Sequence, residues 1–325
     1  MPDAADARAA ALPDLAAIRS AQARIAPHVH RTPVLSCRSI DAEVGASLHF
    51  KCENFQKVGA FKARGATNAV FSLADDEARH GVVTHSSGNH GAALAYAARA
   101  RGIPAWVVMP ENAPKVKQAN VRRFGATIRF CAPTVAAREE TCADVLRETA
   151  AVLIHPFDDV RVIAGQGTAA LELLDDVPGL DIVIAPVGGG GLLAGTSIAV
   201  RSSRPAMRVY GAEPVNADDA TRSFRSGRVE PLPASSTIAD GLRTVLSERT
   251  LAAIRANVAA IGNASEDAIV RAMRMTWERM KIVIEPSAAV PLACLLERTL
   301  DVAGARVGVI LSGGNVDLDH LPWQT

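Results

Sequence analysis

Short runs of β-branched and aliphatic residues recur along the chain, each flanked by a longer stretch whose apolar positions have helical spacing. The runs are "GVVTH", "AWVVMP", "TIRFC", "AVLIHP", "DIVIAPV", "RVYGAEP" and "RVGVILSGG". Runs this continuous lack the apolar–polar alternation of a half-solvated strand and belong to strands covered on both faces. Their alternation with helices gives the fold class α/β, with open, mostly parallel sheets covered by helices. Three of the strand–helix units fall between residues 75 and 157 and form a block of their own. The expected organisation is a small domain, 75–157, inserted in a large one, 1–74 and 158–325, with a ligand in the cleft between them. No fixed-period repeat or low-complexity linker breaks this plan.

Composition narrows the function. The 325 residues carry 35 basic and 34 acidic side chains, a formal charge of +1. No basic stripe is present to track a phosphate backbone or an anionic lipid surface, so nucleic acid is not an expected partner. No apolar run approaches the roughly 18 residues of a membrane span. The opening "MPDAADARAA" has acids where a secretory leader has bases. A cytoplasmic protein with no membrane partner is expected. Cys37, Cys52, Cys131, Cys142 and Cys294 form an odd set with no C-x-x-C, which reads as reduced structural thiols.

Four stretches carry candidate chemistry. "FQKVGAFKARGA" sets Lys62 between Phe61 and Ala63, and the question is whether that lysine is solvated, as most are, or reactive. "DIVIAPVGGGGLLAGTSIAV" is an apolar strand, then Gly188, Gly189, Gly190 and Gly191, then a helix. So many glycines cost backbone entropy, and a turn needing positive φ would use only one or two. Bare backbone at a helix start suits close approach by an anion. The pattern is neither G-x-G-x-x-G nor G-x-x-x-x-G-K-[ST], so a single phosphate monoester is favoured over a dinucleotide or ATP. "GVVTHSSGNHGAALAYAARARG" repeats the layout with hydroxyls and an amide, which suits a carboxylate, although Ser87 and Asn89 could simply cap the helix. His85 and His90 lack a third metal ligand at suitable spacing. "RVGVILSGGNVDL" ends a strand at Ser312, where open α/β sheets place ligands and where a turn residue would also fit.

Taken together, "FQKVGAFKARGA", "SSGNHG", "IAGQGT", "VGGGGL", "IADGL", "IEPSAA" and "LSGGN" resemble, in order and spacing, the fold type II pyridoxal-phosphate (PLP) enzymes. The likeness runs over about residues 20 to 318 and is strongest to the serine/threonine dehydratase–serine racemase group. The resemblance implies a two-domain fold similar to the tryptophan synthase β chain. It implies that Lys62 is joined covalently to PLP with Phe61 beside it, and that Gly188, Gly189, Gly190 and Gly191 hold the phosphate. Asn89 would bond the ring 3′-oxygen and Ser312 the ring nitrogen. Ser86, Ser87, Asn89 and His90 would hold the substrate carboxylate. A lysine near its usual pKa of about 10.4 cannot attack an aldehyde at neutral pH, so burial beside Phe61 and Ala63 must lower it. Its freed amine can then take the Cα proton.

A serine hydroxyl at Ser312, unlike a carboxylate, does not stabilise a protonated ring nitrogen, which favours loss of a β-leaving group over transamination. The expected activity is a dehydratase, or ammonia-lyase, turning L-serine, L-threonine or a 3-hydroxy amino acid such as 3-hydroxyaspartate into a 2-oxo acid and ammonia. The alternative is a serine racemase with Ser87 as a second acid/base facing Lys62. By the same resemblance, Glu213, the carbonyl of Ala217 and Asp219 in "EPVNADDA" match a divalent-cation site of oxygen ligands suited to Mg²⁺, Ca²⁺ or Mn²⁺. Arg138 in "AAREE" matches an arginine near the racemases' substrate entrance, and Phe157 in "HPFDD" replaces a polar residue near their cofactor ring. Only about ten residues follow "LSGGN", so no C-terminal regulatory domain is expected. A homodimer is the family's habit.

Overall fold

The computed structural model describes residues 12–324 except Ser87, Pro114, Pro233 and Ala234. Its strands, in chain order, are β1 (Val34–Leu35), β2 (Ser47–Cys52), β3 (Val82–His85), β4 (Ala105–Pro110), β5 (Thr127–Cys131), β6 (Val152–Leu153), β7 (Ile182–Pro186), β8 (Arg208–Pro214), β9 (Ala260–Ala264) and β10 (Arg306–Leu311). They sort into a six-stranded sheet of order β1-β2-β10-β7-β8-β9 and a four-stranded sheet of order β5-β4-β3-β6. All pairings are parallel except β1 with β2. The helices that matter for the site are α1 (Lys62–Phe71), α2 (Asn89–Arg101), α3 (Val160–Asp176), α4 (Gly191–Ser203), α5 (Asp219–Ser226) and α6 (Pro286–Leu296).

Each apolar run noted in the sequence becomes a strand, and burial explains why. Along β7, Ile182 and Ile184 enter one core, shared with Leu48, Phe50, Val307 and Leu292. Val183 and Ala185 enter the other, with Leu173, Leu193 and Val209. The period of two thus delivers apolar side chains to both faces, as parallel strands under helices require. β2 and β9 escape the pattern, because "SLHFKC" holds a lysine and a histidine and "AIGNA" is poor in β-branched residues.

The helices cross closely through glycines. A Cβ on Gly165 of α3 would stand 2.6 Å from Gly65 Cα of α1, so these two helices touch backbone to backbone. Helix α1 also shares a core with the four-stranded sheet, through Ala66, Ala69 and Val70 against Ala93, Val107 and Met109. Lys62 is its first residue. Among the described residues no helix is long and apolar enough to cross a membrane.

Candidate active site

The candidate residues come from the carboxyl ends of strands in both sheets, where parallel α/β folds leave helix starts open to ligands. β7 leads into Gly188–Gly191 and α4, β3 into Ser86–Gly88 and α2, and β10 into Ser312. The stretch before α1 is tied to the last of these: Ala60 bridges Gly313, and Phe61 N–H donates to the Ser312 carbonyl at 3.0 Å. Lys62 therefore starts its helix beside Ser312.

The Lys62 amine lies within the protein, donating to the Pro156 carbonyl at 2.8 Å and standing 5.2 Å from the centre of the Phe61 ring. Burial disfavours its charged form and pulls the pKa down from 10.5 to about 8, with the facing Glu285 carboxylate opposing the shift. A useful fraction of free amine is then present at neutral pH.

The glycine loop is buried, and the backbone N–H groups of Gly188, Gly189, Gly190 and Gly191 have no acceptor among the described residues. Four buried donors without partners are costly unless a ligand takes them. Only Gly190 has a left-handed φ, of 86°. The other glycines are required by neighbours: a Cβ on Gly189 would come to 2.4 Å from the Phe157 ring, and one on Gly188 to 2.9 Å from Leu242 Cα. The side-chain face of the loop is thus filled by Phe157 and Leu242. Its donors remain for an anion, next to the positive end of α4.

In the second loop, Ser86 Oγ accepts from Gly88 N–H at 3.2 Å and shapes the turn. Ser87 lies outside the described residues. Asn89 opens α2, and its Nδ2 donates to both Glu285 oxygens at 3.0 and 3.1 Å while its Oδ1 accepts from Asn315 Nδ2 at 2.9 Å. His90 is buried with Nε2 3.3 Å from the Ile154 carbonyl, so that nitrogen carries the proton. Burial, together with the charge of Lys62, holds the ring neutral. Its Nδ1 is a buried acceptor without a partner, which would repel rather than bind a carboxylate. What His90 has to offer an anion is its backbone N–H at the helix start.

Two neighbours escaped the sequence reading. Glu285 ends the loop before α6 and, although it occupies the N-cap position, makes no cap bond. It accepts from Asn89 and from Asn315 N–H, and burial pushes its pKa up to about 7. An acid directly before a proline at a helix start, in "IEPSAA", was the available signal. The second is His155, whose Nδ1 accepts from Asp158 N–H at 2.9 Å. Burial, helped by the nearby His85, pushes its pKa down to about 4, so the proton sits on Nε2. Its ring stands edge-on to His85 and Phe157 at 5.1 and 4.6 Å. His85 thus meets another histidine; among the described residues no group of three His, Cys, Asp or Glu side chains could hold a metal.

The acidic stretch after β8 is buried. Glu213 is fully buried and accepts from Ala220 N–H, Thr221 N–H and Thr221 Oγ1 at 2.8 Å each. Ala217 closes the short turn before α5, and Asp219 begins that helix with both carboxylate oxygens buried and unpartnered. Burial pushes the Glu213 and Asp219 pKa values up to about 8 and about 7. Glu213 is thus satisfied by its three donors, whereas the buried Asp219 carboxylate lacks one, and a hard cation would suit that oxygen pair.

Open parallel sheets under helices, with a buried lysine amine and a glycine loop at strand ends, are an arrangement found in α/β enzymes. The model of the family described as "Pyridoxal-phosphate dependent enzyme" matches residues 25–313, and the chain belongs to that family, within its fold type II serine/threonine dehydratase–serine racemase group. It is 52% identical over 305 residues to the beta-hydroxyaspartate dehydratase of Paracoccus denitrificans (strain Pd 1222), covering 94% of this chain and 97% of that protein. It is 50% identical over 317 residues to a serine racemase of Oryza sativa subsp. indica, covering 96% of this chain and 93% of that one. The solved structure of maize serine racemase matches with a TM-score of 0.93 at 48% identity, covering 95% of each chain.

Proposed function

We propose that this chain is a PLP-dependent ammonia-lyase that converts a 3-hydroxy amino acid (L-serine, L-threonine or 3-hydroxyaspartate) to a 2-oxo acid and ammonia. The observation that carries the reading is the Lys62 amine, pulled down to about 8 by burial and bonded to the Pro156 carbonyl, whose chain neighbour Phe157 packs on a loop of four buried glycine N–H groups without acceptors. These residues fit PLP: Lys62 would hold its aldehyde carbon, Gly188 to Gly191 its phosphate, Asn89 its ring oxygen and Ser312 its ring nitrogen, with Phe61 alongside. Bound PLP supplies an electron sink for the bond that breaks at Cα.

Everything else falls to the chain's own groups. Displaced by substrate, the Lys62 amine is a base of suitable strength to take the Cα proton at neutral pH. The helix-start N–H groups of Asn89 and His90, with the hydroxyls of Ser86 and Ser87, would hold the substrate carboxylate. With a hydroxyl rather than a carboxylate at Ser312, the ring nitrogen would stay unprotonated, which would favour expulsion of the 3-hydroxyl. Glu213, the Ala217 carbonyl and Asp219 would hold Mg²⁺, Ca²⁺ or Mn²⁺ as a structural clamp at the start of α5. In this reading residues 75–157 act as a small domain over 1–74 and 158–325, and the working form is a cytoplasmic homodimer, which light scattering would check.

The relatives named serine racemases favour a second reading, in which Ser87 returns a proton to the opposite face and inverts the amino acid. One assay separates the two: purified protein with PLP is given L-serine, L-threonine and 3-hydroxyaspartate, and ammonia, 2-oxo acid and product chirality are followed. Sustained 2-oxo acid and ammonia support the lyase. D-serine with little pyruvate would replace it by the racemase, and an absence of any PLP-dependent absorbance would end both.

A further inference from the structure

Arg64 lies two residues beyond Lys62 on α1, is fully buried and touches neither cleft nor solvent. Its Nε and one terminal nitrogen donate to the two Glu53 oxygens at 2.7 and 2.8 Å. Its two terminal nitrogens reach the two Glu172 oxygens at 2.8 Å each. Lys51, also fully buried, donates to Glu172 and to the Thr32 carbonyl at 2.7 Å each, and Thr32 Oγ1 donates to Glu53 at 2.6 Å. Two cations and two carboxylates thus meet in the interior, with Asp176 3.7 Å from Lys51 at the edge, and join four segments: the stretch at Thr32, the end of β2, α1 and α3.

Such a cluster is an expensive way to gain stability, since well-packed apolar residues usually do as well. What it supplies is direction. Helix α1 has no side-chain cap and no acid in its first turn; its start is held by the bonds of Ala60 and Phe61 to Gly313 and Ser312, by Gly65 N–H on Gln166 Oε1 and by the close Gly65–Gly165 crossing. Backbone bonds and a glycine crossing close to the axis resist a turn about it less than a side chain anchored far from it. Two residues along a helix is about 200°, so Arg64 projects from roughly the opposite side to Lys62 and acts as the other end of a lever. With the amine about 8 Å from the axis, a turn of about 10° would move it by about 1 Å. A misplacement of that size can cost about a hundredfold in rate.

We propose that Arg64 is a positioning residue for Lys62: its planar guanidinium, forked onto Glu53 and Glu172, fixes the rotation of α1 and with it the place of the reacting amine. The inference rests on the reading of Lys62 as that amine, so the experiment tests the two in turn. PLP-loaded wild-type protein is first reduced with borohydride and mapped; a label elsewhere than Lys62 overturns that reading and this proposal with it.

Given the label on Lys62, Arg64→Lys, which keeps the charge but loses the fork, is compared with wild type. Expected are a kcat lower by about 10- to 100-fold, a KM within about threefold, a displaced pH profile of kcat and slower borohydride labelling of Lys62. If that variant does not fold, Glu172→Gln, which keeps the shape and the Glu53 fork, is read the same way with a loss of about 3- to 10-fold. A lower melting temperature with unchanged kcat, pH profile and labelling rate would overturn the proposal and leave the cluster a purely structural one.

Discussion

Cofactor-free protein should react with added PLP at a rate that rises with pH through a midpoint near 8, because only the neutral form of Lys62 attacks the aldehyde. Burial disfavours the ammonium and Glu285 partly restores it, leaving the pKa at about 8 rather than 10.5. At pH 7 about one molecule in ten then has a free amine, against about one in 3,000 for an unperturbed lysine, a gain of about 300-fold. Glu285 sets the sign of a second effect. Its negative charge favours the ammonium, so Glu285→Gln should move the midpoint below 8 and speed the reaction at neutral pH. Since burial raises the pKa of Glu285 itself to about 7, the variant and wild type should differ most above pH 7, where the carboxylate is ionised, and converge below it. Stopped-flow absorbance of PLP mixed with apo-protein, with Lys62→Ala as the blank, measures this directly. A midpoint near 10.5, or an upward move in Glu285→Gln, would refute the account of how the amine is activated.

Other outcomes follow from single contacts. Lys62→Ala should fold normally by circular dichroism and lose all turnover; rates like those of wild type would remove it from the chemistry. Gly189→Ala would drive a methyl to 2.4 Å from the Phe157 ring, and overpacking of this kind costs about 1–3 kcal/mol. Denaturant unfolding of Gly189→Ala, Phe157→Ala and the double variant should show strong coupling, and simple additivity would mean that the contact is unimportant. Added Ca²⁺ or Mg²⁺ should raise the melting temperature of wild type and not of Asp219→Asn, as expected of a ligand bound only by the folded state. Equal gains in both would count against oxygen ligation at Asp219.

The strands of both sheets were legible where a run of apolar residues had to serve two cores at once, as in β7 and β10. β2 was not, because Lys51 is buried by an ion pair with Glu172, which lies 121 positions away. Asn89, Ser312 and the glycine loop stand out as candidates because each ends a strand or opens a helix, whereas their roles, and that of Lys62, are implied only by the resemblance of the motifs around them. Glu285 could not, since its meaning depends on Asn89, which lies 196 positions away. The glycine loop shows both sides. Gly190 declares itself by its left-handed turn, whereas Gly188 and Gly189 are required by Leu242 and Phe157, neighbours that only the folded chain brings near. Arg64 offered no local cue, because four segments must meet before its charge has a purpose.

The attachments of α1 have a mechanical consequence. Its far turns are embedded with Ala93 and Val107 beside the four-stranded sheet, while the two residues before it are stitched to the end of β10 in the six-stranded one. Any swing of one sheet against the other would use this helix as its axle, and a point on an axle travels least. The cleft could then widen for entry and escape while Lys62 stays where it was set.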